Sequence, residues 1–104
     1  MEVHGVDLDE AARCAHWRSA SDVLAIRMKC CDRWVACIDC HEAVADHPAR
    51  VWPREERHEH ALLCGICGAT RAIAEYLDDP SGCPTCGTGF NPGCVRHHPL
   101  YFQI

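Results

Sequence analysis

These 104 residues predict a small α+β fold, irregular, in two lobes, and stapled together rather than held by its own packing. Three observations lead there. Ten cysteines and eight histidines crowd the chain. The apolar share of 48% includes those cysteines, and without them no stretch is long enough for an ordinary core. The cysteines also arrive in tight groups: KCCDRWVACIDCHEAVADH, Lys29 to His47, holds Cys30, Cys31, Cys37, Cys40, His41 and His47.

Each element has its own local reason. Residues 1–12 (MEVHGVDLDEAA) are acidic and polar and are expected to be loosely held. The apolar run VLAIRM at 23–28 predicts a strand, with WVAC at 34–37 as its partner and CCDR as the turn of a short hairpin. HEAVADH, 41–47, contains the helix formers Glu42, Ala43 and Ala45, and Pro48 stops it. This first lobe spans about 13–50. VWPREERHEHA, 51–61, is charged and poor in apolar residues and reads as a linker. A second lobe covers 62–98. ALLCGICGATRAIAEYL places a turn with Gly65 and Gly68 around two cysteines, then a strand or short helix. DDPSGCPTCGTGFNPGC is so rich in Gly and Pro that something other than its backbone pattern must hold it. The apolar tail PLYFQI has two open fates, docking on its own domain or on a partner.

Disulfides, thiol redox chemistry and metal all account for dense cysteine. The start, MEVHGVDLDEAARCAHW, has no apolar stretch behind a basic end, so a cytoplasmic location is expected. In that reducing compartment cysteine clusters more often mean metal. No run of about 18 apolar residues occurs, so no membrane partner is expected. Eight histidines favour metal too, because zinc sites mix Cys and His whereas disulfide scaffolds have no need of His.

The most specific pattern is Cys64-Gly65-Ile66-Cys67, fifteen residues, then Cys83-Pro84-Thr85-Cys86. It has the spacing of a Cys₄ zinc site, in which each C-x-x-C knuckle presents two sulfurs to one ion. The first lobe offers Cys14, His16, Cys30, Cys31, Cys37, Cys40, His41 and His47, enough for two tetrahedral sites. Neighbouring side chains diverge, so Cys40 and His41 should serve different ions, and the two sites must interleave. Cys30 and Cys31 reach one ion only if the backbone turns sharply between them. The residues alone leave open which site each serves.

CAHW at 14–17, CC at 30–31, CIDCHEAVADH at 37–47, CGIC at 64–67 and CPTCGTGFNPGC at 83–94 together resemble the CHY-type zinc finger, here as a stand-alone domain. The likeness covers roughly residues 14 to 102, with Trp17 where the family's name implies a tyrosine. It implies three Zn²⁺ ions. Cys14 and His16 would share one with Cys37 and Cys40; Cys30 and Cys31 a second with His41 and His47; Cys64, Cys67, Cys83 and Cys86 would hold the third. All are closed four-ligand sets, which are structural. Nine thiolates and three dications would change the formal charge of −5 by −9 + 6 = −3, to about −8. That is a poor footprint for nucleic acid, which is not expected as a partner.

Other chemistries fare worse. HEAVADH would need a second histidine at 45 to be a zinc-protease helix, and position 45 is Ala45. His58-Glu59-His60 on a charged stretch reads as a solvated face. CIDC and CGIC lack the βαβ context of a thioredoxin-like redox pair. Beyond the twelve implied ligands, Cys94 and the remaining histidines are too few for a RING. Without an open coordination position or a spare carboxylate beside one, no enzyme activity is expected. Trp17, Trp34 and Trp52, with Leu24, Ile26 and Val51, are expected to pack around the zinc sites.

Cys94-x-x-His97 has ligand spacing but no assigned ion. It reads either as a buried cysteine beside a solvated histidine, or as an extra metal half-site completed by another chain or a partner, or as a thiol available for exchange. The function expected is zinc-ion binding by a structural module that acts through protein partners. The alternative is a thiol-redox or zinc-handling assembly factor, because stand-alone members of the family include a mitochondrial intermembrane-space factor that helps assemble small Tim chaperones.

Overall fold

The computed structural model describes residues 3–11, 13–14, 21–91 and 98–103. Trp17, expected beside a metal site, lies outside them, as do His16, Cys94 and His97. The chain builds strands β1 (Val3–His4), β2 (Leu24–Arg27) and β3 (Trp34–Val35), then helix α1 (Ile38–Val44). A 3₁₀ turn at Arg54–Glu56 leads into β4 (His60–Cys64), β5 (Thr70–Ala72), helix α2 (Ile73–Asp78) and a final turn of helix, α3 (His98–Tyr101).

Five strands form one sheet in the order β1-β3-β2-β4-β5. The expected hairpin is present: β2 pairs antiparallel with β3, setting Ile26 against Val35 and Arg27 against Trp34. The turn between them is closed by Met28 N–H to Arg33 O at 2.9 Å and Asp32 N–H to Met28 O at 2.8 Å, with Asp32 at φ 56°. β2 also pairs antiparallel with β4, Leu24 opposite Cys64, so a single sheet runs through both ligand-bearing halves.

Alternation along the strands divides the apolar residues between two faces. Leu24 and Ile26 of β2 and Leu62 of β4 join Met28, Trp52, Ile73, Tyr76, Phe90, Tyr101 and Phe102 in the main core. Ala25 and Leu63 point the other way, against Val3 and Trp34. Leu24, Ile26 and Trp52 therefore pack as the sequence suggests, while Val51 stays 43% exposed.

Two segments differ from expectation in detail. The N-terminus was expected to be loose, yet Val3–His4 pairs in parallel with Trp34–Val35 and Ala11 enters the core. Its close approach is possible because Gly5 and Gly65 lack side chains. A Cβ on Gly5 would lie 2.9 Å from Cys40 Sγ, and one on Gly65 would meet the carbonyls of Ala11 and Val23. The stretch 51–61 carries Trp52 into the core, where its indole N–H donates to Arg27 O at 2.8 Å, and Arg27 and Lys29 lie over its ring.

The tail docks on its own domain. Tyr101 and Phe102 are buried, Phe102 forms a parallel bridge with Trp52, and Trp52 N–H donates to Tyr101 O at 2.8 Å. His98 Nε2 sits 2.9 Å from the Tyr76 hydroxyl beneath α3.

Candidate metal centres

Helix α1 begins three residues before the predicted start at His41, and the reason is chemical. Cys37 is its N-cap: the Cys37 sulfur takes the place of the usual Ser or Asp oxygen and accepts from Cys40 N–H at 3.3 Å. The Cys37–Cys40 pair is therefore the first turn of the helix. The helix ends at Val44 with Ala45 as its cap, short of Pro48.

Successive side chains on α1 diverge, and Cys40 and His41 enter different clusters. Cys14, Cys37 and Cys40 form one, all buried, with the Cys14 and Cys37 sulfurs 3.6 Å apart. His16, implied as the fourth member, lies outside the described residues. His41 is gathered with Cys30, Cys31 and His47. Its Nε2 is 3.2 Å from Cys30 Sγ, 4.0 Å from Cys31 Sγ and 3.3 Å from His47 Nε2. The sharp turn at Asp32 brings the adjacent Cys30 and Cys31 sulfurs to 3.8 Å, into the same cluster.

The third cluster joins two knuckles. Cys64 ends β4, and Gly68, at φ +80°, turns the chain so that its N–H reaches Cys64 O at 2.8 Å. The second knuckle repeats the device, Gly87 at φ +79° donating to Cys83 O at 2.8 Å. Cys64 and Cys86 sulfurs lie 3.8 Å apart, and those of Cys67 and Cys83 3.7 Å. Arg71 holds the second knuckle to the sheet, donating to the carbonyls of Glu75, Asp79 and Gly82.

These distances match a shared ion. Sulfurs about 2.3 Å from a tetrahedral zinc lie about 3.8 Å from one another, and two imidazole nitrogens about 3.3 Å apart. In every cluster all ligand atoms lie within 4.8 Å of one another. None of the nine described cysteines is joined to another in a disulfide.

The electrostatics ask for a cation as well. Burial pushes the Cys64 thiol up to about 12, raises Cys37 strongly and raises Cys40, with the Cys14 sulfur adding to the cost of ionising the last two. Burial likewise raises Cys30. Against this, backbone N–H groups point at the sulfurs: Arg50 at Cys30, Arg33 at Cys31, Val6 at Cys40, Ala69 at Cys67. At Cys83 burial is outweighed by the N–H groups of Cys86 and Thr85 and by adjacent sulfurs, which bring the thiol down to about 7. Donors aimed at crowded, partly desolvated sulfurs suit thiolates neutralised by a dication. Burial and the nearby His47 lower His41, keeping it the neutral imidazole that a metal requires.

Two supporting features escaped sequence reasoning. Asp46 Oδ1 lies 3.1 Å from His47 Nδ1, a carboxylate–histidine contact that orients the ring and raises its basicity. The adjacent Asp-His pair was a visible signal for it. The packing of Gly5 and Val6 against Cys40 had none, because nothing local in an acidic terminus marks its partner. Cys94 and His97 fall outside the described residues. His58 is exposed, and His60 is exposed on β4 with its Nδ1 3.1 Å from Thr70 Oγ1. Neither belongs to a cluster of potential ligands among the described residues.

Comparisons with known proteins agree with the geometry. A family model described as CHY zinc finger matches residues 14–96. Helper of Tim protein 13 of Saccharomyces cerevisiae is 41% identical over 97% of this chain and 90% of its own length. The Kluyveromyces lactis protein of the same name is 35% identical over 98% and 89%. An uncharacterized protein of Schizosaccharomyces pombe is 34% identical over 97% and 88%. No solved structure matches. The chain belongs to the CHY zinc finger family, a family of zinc-binding domains.

Proposed function

We propose that this chain is a zinc-held binding module for a protein partner, with three ions, no catalytic site of its own, and a Tim protein as the partner. The observation that carries the zinc count is three separate donor clusters of tetrahedral dimensions. Cys30, Cys31, His41 and His47 form one set of four and Cys64, Cys67, Cys83 and Cys86 another. Full sets leave no coordination position for a substrate, which supports a structural rather than a catalytic role.

The partner is suggested by the relatives. Two bear the name Helper of Tim protein 13, and each is matched over nearly its whole length. Extending the help their name describes to this chain makes it an assembly factor, with zinc shaping the surface that the client meets. Its compartment would then be the mitochondrial intermembrane space rather than the cytoplasm.

The test is native mass spectrometry of the purified protein, followed by calorimetric titration with a purified small Tim protein and by cell fractionation. Three zincs per chain, saturable binding and a mitochondrial fraction are expected. Fewer than three tightly held ions, or no binding by the zinc-loaded chain, would refute the corresponding part.

A further inference from the structure

The three clusters differ in one respect that the zinc count does not express: their access to solvent. Cys14, Cys37 and Cys40 are all buried, between 0% and 6% exposed. In the second cluster His41 is buried and Cys30, Cys31 and His47 are partly covered. In the third, Cys64 and Cys83 are each 3% exposed, but Cys67 and Cys86 are open to solvent.

This asymmetry follows from the knuckles. The first cysteine of each pair is anchored. Cys64 ends β4 and donates its N–H to Ala69 O at 2.9 Å; Cys83 donates to Thr88 O at 2.9 Å beside the Gly82–Gly89 bridge. The second cysteine of each pair rides on the turn. Ile66, Cys67 and Gly68 are all exposed, as is the whole run from Pro84 to Gly87. Neither tip carries a charged residue, and Ile66, 51% exposed, places an apolar side chain next to Cys67.

We infer that the Cys64, Cys67, Cys83 and Cys86 cluster is the exchangeable zinc site of this protein, and that the Cys67–Cys86 edge is where an incoming thiol ligand enters. The inference rests on the zinc reading above and adds which of the three sites gives up its ion and to what chemistry. The acceptor is a thiol-bearing molecule, and a dithiol suits best because it replaces both open sulfurs in turn. Each replacement is a ligand exchange without electron transfer. The incoming thiol loses its proton to water as its sulfur binds, and the departing Cys67 or Cys86 thiolate takes one up. Cys64 and Cys83, held by the fold, let go last.

Pulse alkylation of the zinc-loaded full chain tests this, using N-ethylmaleimide, peptide mapping of the labelled cysteines and native mass spectra at each time point. A parallel arm adds dithiothreitol with a chromogenic chelator and reads zinc release. Cys67 and Cys86 should be labelled at least about tenfold faster than Cys14, Cys37 and Cys40, as exposure controls thiol access. That labelling should accompany loss of one zinc while two remain, and the dithiol should release one ion in a distinct first phase. Peptide mapping reads Cys94 separately. Earlier labelling of Cys30 and Cys31, or simultaneous loss of all ions, would overturn the inference while leaving the zinc reading intact. A starting spectrum without zinc would instead sink that reading and this inference with it.

Discussion

Cys40 and His41 are adjacent on α1, yet their side chains belong to different clusters: Cys40 packs with Cys14 and Cys37, whereas His41 Nε2 lies 3.2 Å from Cys30 Sγ. One seven-residue helix thus positions donors for two sites, and its first turn is capped by a third donor, the Cys37 sulfur. A disturbance at α1 reaches both. The Cys64 cluster stands on other elements, β4 and the two knuckles.

Cys40→Ser should therefore cost two zincs per chain, and Cys67→Ser, at an exposed turn, only one. Native mass spectra of the two variants check this. Loss of a single ion from Cys40→Ser, with the amide spectrum otherwise unchanged, would show that α1 does not couple the sites.

Stripping zinc at neutral pH with a strong chelator should abolish ordered structure. The main core is small, and structural zinc in small domains contributes roughly 10 kcal/mol or more each to folding. A zinc-free sample is expected to lose its dispersed amide NMR spectrum, and a spectrum that stays dispersed would show that the sheet stands without metal.

The docked tail makes a paired forecast. Phe102 is 1% exposed against Tyr76, so Phe102→Ala should destabilise by about 3–5 kcal/mol. Leu100, two residues earlier and 46% exposed, should tolerate Leu100→Ala within about 0.5 kcal/mol. Thermal unfolding of the zinc-loaded variants distinguishes them, and equal shifts would mean that the tail is not packed as described.

Two glycines of one knuckle should separate likewise. Gly68 sits at φ +80° with open space around it, so Gly68→Ala meets only backbone strain of about 1–2 kcal/mol. Gly65 lies against the backbone of Ala11 and Val23, to which it donates a 2.6 Å hydrogen bond, and Gly65→Ala must push that segment away. Denaturant titration should find Gly65→Ala the more damaging, and the reverse order would argue against the close approach of the N-terminal segment.

Local spacing made much of this protein legible. The hairpin of VLAIRM and WVAC, a helix over HEAV and the two knuckles with their glycines all depend on residues a few positions apart. The divergence of Cys40 from His41 follows from helix geometry alone. The sequence by itself therefore determined the small α+β class, the recurring C-x-x-C pairs and the family to which they belong. It could not place Val3 beside Trp34, lay Gly5 over Cys40 or choose a resting place for Phe102. Those contacts join segments about 30 or more residues apart, and two-residue strands carry too little periodic signal to declare a partner. It also could not rank the clusters by exposure. Cys67 and Cys64 share one C-x-x-C motif, and only the strand that buries Cys64 and the turn that lifts Cys67 into solvent tell them apart.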